Sequence, residues 1–269
     1  MITLHEAADR LGVHYMTVYR YIRTGRLPAV KEGAEWRVDA ADVDALRAVA
    51  TTPPQHPSPR TWARDRLEDR LVAGDEPGAW GVVEAALASG ADPADIHLKL
   101  VAPALRSIGR RWEAGELGVG DEHRGSAVAR RLVARLGPRF ARRGRKRGTV
   151  VVGAVAGERH DIPVAIVADL LRGARFEVVD LGADTPADSL ATAAARHRPV
   201  AVLLGITATG REPAVVTAVR VVHAAAPVTV LVGGAAIPSA AAARALGADG
   251  WTGLDALAAV AAVEALVRA

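Results

Sequence analysis

The stretch that decides the fold is Gly157-Glu158-Arg159-His160-Asp161-Ile162-Pro163, called here the histidine loop. An apolar, β-branched run over residues 149–155 precedes it, and an apolar run with helical spacing over residues 164–171 follows it. This order predicts a loop at the carboxyl end of a buried strand, where ligands bind in open α/β sheets. A histidine there can present one ring nitrogen to a metal while a carboxylate, Glu158 or Asp161, holds the other. Taken alone, such a loop is more often a surface connection with a solvated histidine, so the rest of the chain must decide.

From residue 149 onward, short β-branched runs alternate with Ala-rich helical runs, which predicts a five-stranded doubly wound sheet of the flavodoxin-like kind. The strands are expected near residues 149–155, 175–181, 200–204, 228–232 and 250–252. The helices are expected near residues 162–172, 186–197, 213–225, 238–246 and 255–267. Two further strand ends carry unusual residues, namely Thr207 with Thr209, and the pair Gly233-Gly234. The first strand lacks a Gly-rich phosphate fingerprint, which disfavours a dinucleotide site.

Residues 61–143 have helical apolar spacing, with breaks that divide them into four helices and predict an up-and-down bundle. Trp112 ends one predicted helix, and Glu122 and His123 open the next, so the three can face one point on the bundle surface. The indole would offer a flat apolar lid, and the other two side chains would offer hydrogen bonds. The alternative is a core tryptophan next to an acidic pair, Asp121 and Glu122, that caps a helix.

The N-terminal segment opens with a capping box, Thr3-Leu4-His5-Glu6, and continues as two short helices joined by a turn at Gly12. Two short strands around Gly33 then predict a wing, followed by a third helix over residues 41–49. The candidate DNA-binding residues lie on the second helix and the wing: Thr17, Tyr19, Arg20, Arg23, Lys31 and Arg37. The alternative is a small helical interaction module with a solvated basic face.

Four prolines over residues 51–59 predict an extended spacer after the N-terminal segment. The fold class is therefore multidomain α plus α/β, with a winged helix-turn-helix over residues 1–50, a four-helix-bundle cap over 61–143 and a Rossmann-like domain over 148–269. Six Arg and Lys residues fall within residues 139–147, which predicts a solvated linker or, alternatively, an auxiliary contact to the DNA backbone.

Composition excludes several classes of protein. The chain has no cysteine, which excludes disulfide frameworks and thiolate metal sites and fits a cytoplasmic location. It has no apolar run long enough to span a membrane, and its first residues are not expected to form a signal peptide. The formal charge is only +4, so the placement of the cations matters more than their total.

The N-terminal segment resembles the excisionase and MerR-like winged helix-turn-helix family over nearly all of residues 1–49. The matching motifs are Thr3-Leu4-His5-Glu6-Ala7-Ala8, Thr17-Val18-Tyr19-Arg20-Tyr21-Ile22, Gly25-Arg26-Leu27-Pro28-Ala29 and Trp36-Arg37-Val38. This resemblance implies binding to a double-stranded DNA operator.

The remainder resembles the cobalamin-binding domain family, through Glu158-x-His160, the hydroxyl residues after the third strand and Gly233-Gly234. With the Trp112-x9-Glu122-His123 pattern and the domain order, the whole chain is similar to cobalamin-dependent light-sensing repressors of the CarH/LitR type. The resemblance implies His160 as the lower ligand of cobalt, with Glu158 or Asp161 orienting it. It places Trp112, Glu122 and His123 around an upper adenosyl group, and Thr207, Thr209, Gly233 and Gly234 around the dimethylbenzimidazole tail.

The chain departs from the family at Pro163 and Gly205, where Gly and Ser are usual, and at Glu113, where some light-sensing members have His. Pro163 adds bulk near the tail, which leaves room for another tetrapyrrole such as a bilin, or for no ligand. The expectation is a homo-oligomeric dimer or tetramer that binds adenosylcobalamin, represses transcription in the dark and releases DNA in light. This expectation includes that the protein is not an enzyme; the alternative is a corrinoid-carrying methyltransferase component.

Overall fold

The structure is a computed structural model that describes residues 1–11, 15–23, 27–32, 35–44, 59–253 and 255–268. The end of the predicted third helix, most of the proline spacer and the side chains of Thr17, Arg20 and Arg23 lie outside the described residues. The chain divides into two compact units, Met1–Ser58 and Pro59–Ala269, each described by itself. Among the described residues, no helix combines the length and the apolar character that crossing a membrane requires.

The N-terminal unit is the predicted winged helix-turn-helix. Its elements are β1 (Ile2–Thr3), α1 (Leu4–Leu11), α2 (Tyr15–Arg23), β2 (Ala29–Glu32), β3 (Glu35–Val38) and α3 (40–44). The capping box forms as predicted, because the Thr3 backbone N–H donates to Glu6 Oε2 at 2.8 Å and the Glu6 N–H donates to Thr3 Oγ1 at 3.2 Å. The sheet order is β1-β3-β2, so β1 adds a strand to the wing that the sequence analysis missed.

The four predicted bundle helices begin the second unit, and we call them the cap. They are α4 (Pro59–Ala73), α5 (Glu76–Ala88), an interrupted helix made of α6 (Pro93–Asp95), a π-helical segment (Ile96–Val101) and α7 (Ala102–Glu113), and α8 (Val119–Leu136), followed by a 3₁₀ helix (Gly137–Phe140). Asp75 begins α5 by accepting a hydrogen bond from the Gly78 N–H at 2.9 Å. The π-helical segment contains His97, which is fully buried.

A five-stranded parallel sheet with the strand order β5-β4-β6-β7-β8 follows the cap. Its strands and helices are β4 (Thr149–Ala154), α9 (Asp161–Gly173), β5 (Glu177–Asp180), α10 (Ala187–His197), β6 (Ala201–Gly205), α11 (Glu212–Ala225), β7 (Thr229–Gly233), α12 (Ala240–Ala245), β8 (Gly250–Trp251) and α13 (Ala256–Leu266). This flavodoxin-like order confirms the predicted fold class. Strand β5 begins later than predicted because Arg175, at φ 68°, has a left-handed conformation that a strand does not allow.

Helix α9 joins the cap to the sheet because it has two apolar faces. Ile162, Ile166 and Leu170 pack into the hydrophobic core of the cap. Val164 and Leu171 pack against the strands. The cap and the sheet therefore share a helix that begins immediately after His160, and a displacement of α9 would affect both.

Candidate functional site

The histidine loop leaves the carboxyl end of β4 and enters α9, with His160 as the residue that precedes the helix. Gly157 permits the turn with φ +80°, and its N–H donates to Asp184 Oδ1 at 2.6 Å. The Asp184 N–H in turn donates to the Glu158 carbonyl at 2.8 Å. The loop after β4 is thereby fixed to the loop after β5, as expected for neighbouring parallel strands.

Glu158 is the centre of this site, although only 1% of its side chain is exposed. Its Oε2 accepts hydrogen bonds from the backbone N–H groups of Thr207 at 2.6 Å and Ala208 at 2.8 Å. Its Oε1 accepts from the His160 N–H at 3.0 Å and lies 2.5 Å from His160 Nδ1. One carboxylate therefore links the loops after β4 and β6, and it replaces its lost hydration with four donors.

The carboxylate of Glu158 remains ionised despite its burial. Burial is the largest influence and acts to raise its pKa, but the hydrogen bonds from Ala208, His160 and Thr207 together outweigh it and lower the pKa below its ordinary value. An ionised carboxylate keeps a proton on His160 Nδ1, which leaves the Nε2 lone pair as the acceptor. The ring is 57% exposed, so this nitrogen is open to a ligand.

Asp161 has a different role from the one expected as an alternative to Glu158. Its two carboxylate oxygens accept hydrogen bonds from Arg130 Nε at 2.6 Å and from an Arg130 terminal nitrogen at 3.1 Å. The hydrogen bond with Asp161 is the main reason that the pKa of the Arg130 guanidinium is raised. Asp161 therefore connects the first residue of α9 to the cap helix α8, and Glu158 alone bonds the His160 ring among the described residues.

The predicted cap residues lie where the sequence analysis placed them, at the end of α7 and the start of α8. Trp112 is 46% exposed, so it is not a core tryptophan. Glu122 Oε1 accepts a hydrogen bond from Ser126 Oγ at 2.6 Å, and its Oε2 lies 3.6 Å from His123 Nε2. Glu122, Ser126 and Arg130 are spaced by four residues and so form one stripe along α8. Because Arg130 contacts Asp161, this stripe leads from the cap to the histidine loop.

The glycines at the carboxyl ends of β6 and β7 are required by packing within the protein. A Cβ at Gly233 would lie 1.6 Å from Thr252 Oγ1, and a Cβ at Gly234 would lie 2.2 Å from the Ile206 carbonyl oxygen. At Gly205 a Cβ would lie 2.9 Å from Val164 Cγ2. Side chains thus fill the space next to two of these glycines, and Thr252 and Val164 are contacts that the sequence analysis missed. Pro163 is exposed at the surface of α9, and Val164 is the α9 side chain that lies next to Gly205.

The remaining predicted residues are partly placed. Thr207 contributes its backbone N–H to Glu158, and Thr209 is exposed one residue before Gly210. In the helix-turn-helix, Tyr19 packs against the core, Lys31 is exposed on β2, and Arg37 lies 3.8 Å from Glu35 Oε2. In the second unit, the sequence analysis missed one buried polar pair. His97 is buried, and its Nε2 lies 3.0 Å from Asp169 Oδ2.

The donor set suits one particular kind of metal group. The described residues contain no cluster of three or more His, Cys, Asp or Glu side chains that could hold a metal ion. A single imidazole held by an ionised carboxylate can, however, supply one axial nitrogen to a metal that brings its own equatorial ligands. A cobalt corrinoid is such a group, and on this face the residues fit it. At the carboxyl ends of β6 and β7, Val164 and Thr252 fill space next to Gly205 and Gly233.

Comparisons with known proteins bear on the class of cofactor. Residues 63–136 and 148–267 match models described as B12 binding domains, and residues 1–48 match a helix-turn-helix domain. Together these matches support a cobalamin-binding protein with a helix-turn-helix, whose cofactor is a cobalt corrinoid.

Curated relatives are corrinoid proteins. The chain is 31% identical over 137 residues to trimethylamine corrinoid protein 1 of Methanosarcina acetivorans, covering 50% of this chain and 63% of that one. It is 26% identical over 143 residues to monomethylamine corrinoid protein 2 of the same organism, covering 52% of this chain and 66% of that one. The chain thus spans less than two thirds of the length of these relatives. They contradict the expectation that the protein is not an enzyme, and that prediction is wrong.

The fold has a counterpart among solved structures. The monomethylamine corrinoid protein of Methanosarcina barkeri superposes with a TM-score of 0.67 at 23% identity, covering 76% of this chain and 98% of that one. Nearly all of that protein is matched by part of this chain, so this chain has additional residues without a counterpart in that structure.

Proposed function

We propose that residues 59–269 bind a cobalt corrinoid with His160 Nε2 as its lower axial ligand and Glu158 as the residue that orients the ring. The observation that carries this proposal is the pairing of an exposed imidazole with a buried carboxylate held by backbone N–H groups. A carboxylate partner increases the basicity of an imidazole ligand and fixes its direction. Thr207, Thr209, Gly233 and Gly234 line the region of the nucleotide tail in this proposal, and Asp161 supports the site through Arg130.

The cap covers the upper face in the same proposal. Trp112 supplies an apolar surface for the upper axial group, and Glu122 and His123 supply hydrogen bonds beside it. Arg130 and Asp161 join α8 to the first residue of α9, so the position of the cap depends on the histidine loop. The cap over residues 61–143 and the corrinoid domain over residues 148–269 thus act together on one ligand.

The helix-turn-helix suggests that the corrinoid controls DNA binding, making the protein a transcriptional regulator. An alkylcorrinoid, when bound, would supply a light-sensitive bond between its cobalt and the upper group. Loss of the upper group would uncover Trp112, remove packing that favours one cap position and shift a two-state equilibrium. A homo-oligomer that depends on the lost position would dissociate, and its single helix-turn-helix domains would bind an operator only weakly.

The second candidate is a corrinoid-carrying component of a methyltransferase system. The named relatives favour this candidate, because they are a trimethylamine corrinoid protein and a monomethylamine corrinoid protein. It uses the same cap, histidine loop and sheet. The helix-turn-helix match over residues 1–48 is the observation that favours the regulator.

Absorption spectroscopy tests the cofactor proposal. Adenosylcobalamin, added in the dark to the full chain, should change its spectrum as a histidine replaces the cofactor's own base, and His160→Ala should abolish the change. His223→Ala is a matched control, because His223 also bonds a carboxylate, with Nε2 2.9 Å from Asp249 Oδ2. If the His160→Ala variant gives the same cofactor-bound spectrum as the wild type, the ligand role is rejected. Absence of binding by the wild type would favour a bilin or no ligand.

DNA binding separates the two candidates. Size-exclusion chromatography and operator affinity are measured with bound adenosylcobalamin, in the dark and after green light. A regulator of the proposed kind should elute later and bind DNA at least tenfold more weakly after illumination. Equal elution and equal affinity, together with methyl transfer from a methylated corrinoid on this chain to a thiol acceptor, would support the carrier and reject the light-responsive regulator.

A further inference from the structure

The end of the sheet opposite the histidine loop carries an unusual set of cations. Six of the nine residues from 139 to 147 are Arg or Lys, and none is acidic. Arg175 precedes β5, and Arg196 and Arg198 lie before β6, so they belong to the same end of the sheet. We call the exposed members of this group the basic surface: Arg139, Arg142, Arg143, Arg145, Lys146, Arg175, Arg196 and Arg198.

Backbone hydrogen bonds hold the three segments of the basic surface together. The Arg147 N–H donates to the Arg175 carbonyl at 3.0 Å, and the Glu177 N–H donates to the Gly148 carbonyl at 2.9 Å. The Val200 N–H donates to the Thr149 carbonyl at 2.8 Å. The cations therefore surround the starts of three adjacent strands, which together span about 10 Å.

The loop from 139 to 147 is anchored at both ends. Phe140 is buried and stacks on His97, with 5.0 Å between the ring centroids. At the other end, Arg147 pairs with Glu264 and lies over the Phe176 ring. The exposed cations between these anchors are thus presented on a fixed segment, which reduces the entropy lost when they bind a partner.

The basic surface also differs from the cap in how its charges are balanced. Most of the cap arginines form ion pairs, for example Arg70 with Asp75, Arg124 with Asp121, and Arg131 with Glu76. Within the described part of the chain, no carboxylate forms an ion pair with any cation of the basic surface. Uncompensated cations on one face create a positive potential that attracts polyanions.

We propose that the basic surface binds the phosphate backbone of duplex DNA without reading its sequence. Duplex DNA carries about one negative charge per 1.7 Å of helix axis, so a surface of about 10 Å meets several phosphates. Among polyanions we choose DNA, because the same chain matches a helix-turn-helix domain. Only this choice of partner rests on the proposed function. The contact would add affinity next to an operator and leave sequence recognition to the helix-turn-helix.

The test is the binding of the full chain to a fluorescent duplex of arbitrary sequence between 50 and 200 mM salt. The variant R142A/R143A/R145A/K146A should bind at least tenfold more weakly at about 100 mM salt and should flatten the slope of log K against log salt by about 2 to 4. The control variant R106A/R110A/R220A/R244A removes the same charge from exposed arginines elsewhere. It should keep the wild-type slope within about 1.

Equal slopes for the two quadruple variants, with unchanged circular dichroism, would overturn the proposal. A preference of the basic surface for single-stranded RNA over duplex DNA in competition would overturn the choice of partner. Arg20→Ala with Arg23→Ala separates the two DNA-binding elements. If that pair leaves the slope unchanged while the basic-surface variant flattens it, the helix-turn-helix assignment fails and the basic surface stands.

Discussion

Two histidine–carboxylate pairs lie at opposite ends of helix α9, and they differ in which partner is buried. At the histidine loop, the carboxylate of Glu158 is 1% exposed and the His160 ring is 57% exposed. The second pair, called here the seam pair, joins His97 of the cap to Asp169 of α9, and there His97 is 0% exposed and Asp169 is 5% exposed. A buried anchor with an exposed ring leaves a nitrogen for a ligand, whereas a pair buried on both sides can only hold packed elements together.

The surroundings of the seam pair also tie it to packed elements. Asp169 Oδ1 also accepts a hydrogen bond from Arg172 at 2.9 Å, and His97 stacks on Phe140. His97 Nδ1 is buried and has no hydrogen-bond partner among the residues that the structure describes. The seam pair therefore depends on Asp169, since removing it would leave a buried imidazole with neither nitrogen bonded.

The largest expected effect comes from breaking the seam pair with Asp169→Ala. The variant should lose about 3 kcal/mol of unfolding free energy, the upper end of the usual cost of leaving a buried polar group without its partner, because His97 and Arg172 both lose the carboxylate. Urea unfolding of the full chain, followed by circular dichroism, measures the loss. Asp161→Ala is the control on the same helix, because its half-exposed pair with Arg130 should contribute no more than about 1 kcal/mol. Equal losses of unfolding free energy for Asp169→Ala and Asp161→Ala would contradict the idea that the buried pair stabilises the fold more than the half-exposed one.

The next effect is expected from Glu158→Gln, which keeps the side-chain shape and removes its charge. The amide has only one acceptor oxygen, so in either orientation its nitrogen faces backbone N–H groups from which it cannot accept, those of Thr207 and Ala208 or that of His160. We therefore expect a loss of about 2 kcal/mol. The affinity for adenosylcobalamin should fall about 10- to 100-fold, as is usual when the partner of a ligating histidine is lost. Spectral titration in the dark measures this affinity, and an unchanged value would show that the ring needs no orienting carboxylate.

The dependence of stability on pH sharpens the role of Glu158. Its folded pKa lies below the ordinary value of 4.5, so its ionised form contributes stability that is fully present above pH 4.5. This contribution is lost as the pH falls through the lower folded value. The difference in unfolding free energy between wild type and Glu158→Gln should therefore be constant from about pH 6 to 8 and shrink below about pH 4.5. If the difference between the two unfolding free energies grows as the pH falls, the charge of Glu158 destabilises the folded protein and the prediction is wrong.

The smallest effect on stability is expected from His160→Ala. The ring is largely exposed, and Glu158 keeps its three backbone donors without it, so the unfolding free energy should change by less than about 0.5 kcal/mol. The same variant should lose the spectral change that marks replacement of the cofactor's own base by a histidine. Its effect on cofactor binding would then be separate from its effect on folding. A loss above about 2 kcal/mol in urea would mean that the ring has a structural role like that of His97.

The sequence predicted the sheet well because its strands are continuous β-branched runs between clear helical segments. It could not choose between Glu158 and Asp161, since both lie within two residues of His160. The choice depends on Arg130, which binds Asp161 from 31 positions away. It also missed the contact of His97 with Asp169, because the two are separated by 72 positions and nothing in the residues next to either one indicates the pairing. Contacts of this range have no local pattern.

The three backbone donors to Glu158 have a kinetic and entropic consequence for the site. Because the loop is ordered by its own hydrogen bonds, an incoming ligand finds the imidazole preorganised, and little conformational entropy is lost on association. A rigid loop is also a poor place for a later structural change to begin. Motion that follows a change of ligand at the metal should therefore occur in less stable elements. The half-exposed ion pair of Arg130 with Asp161 is the first of these, because it lies between the histidine loop and the cap.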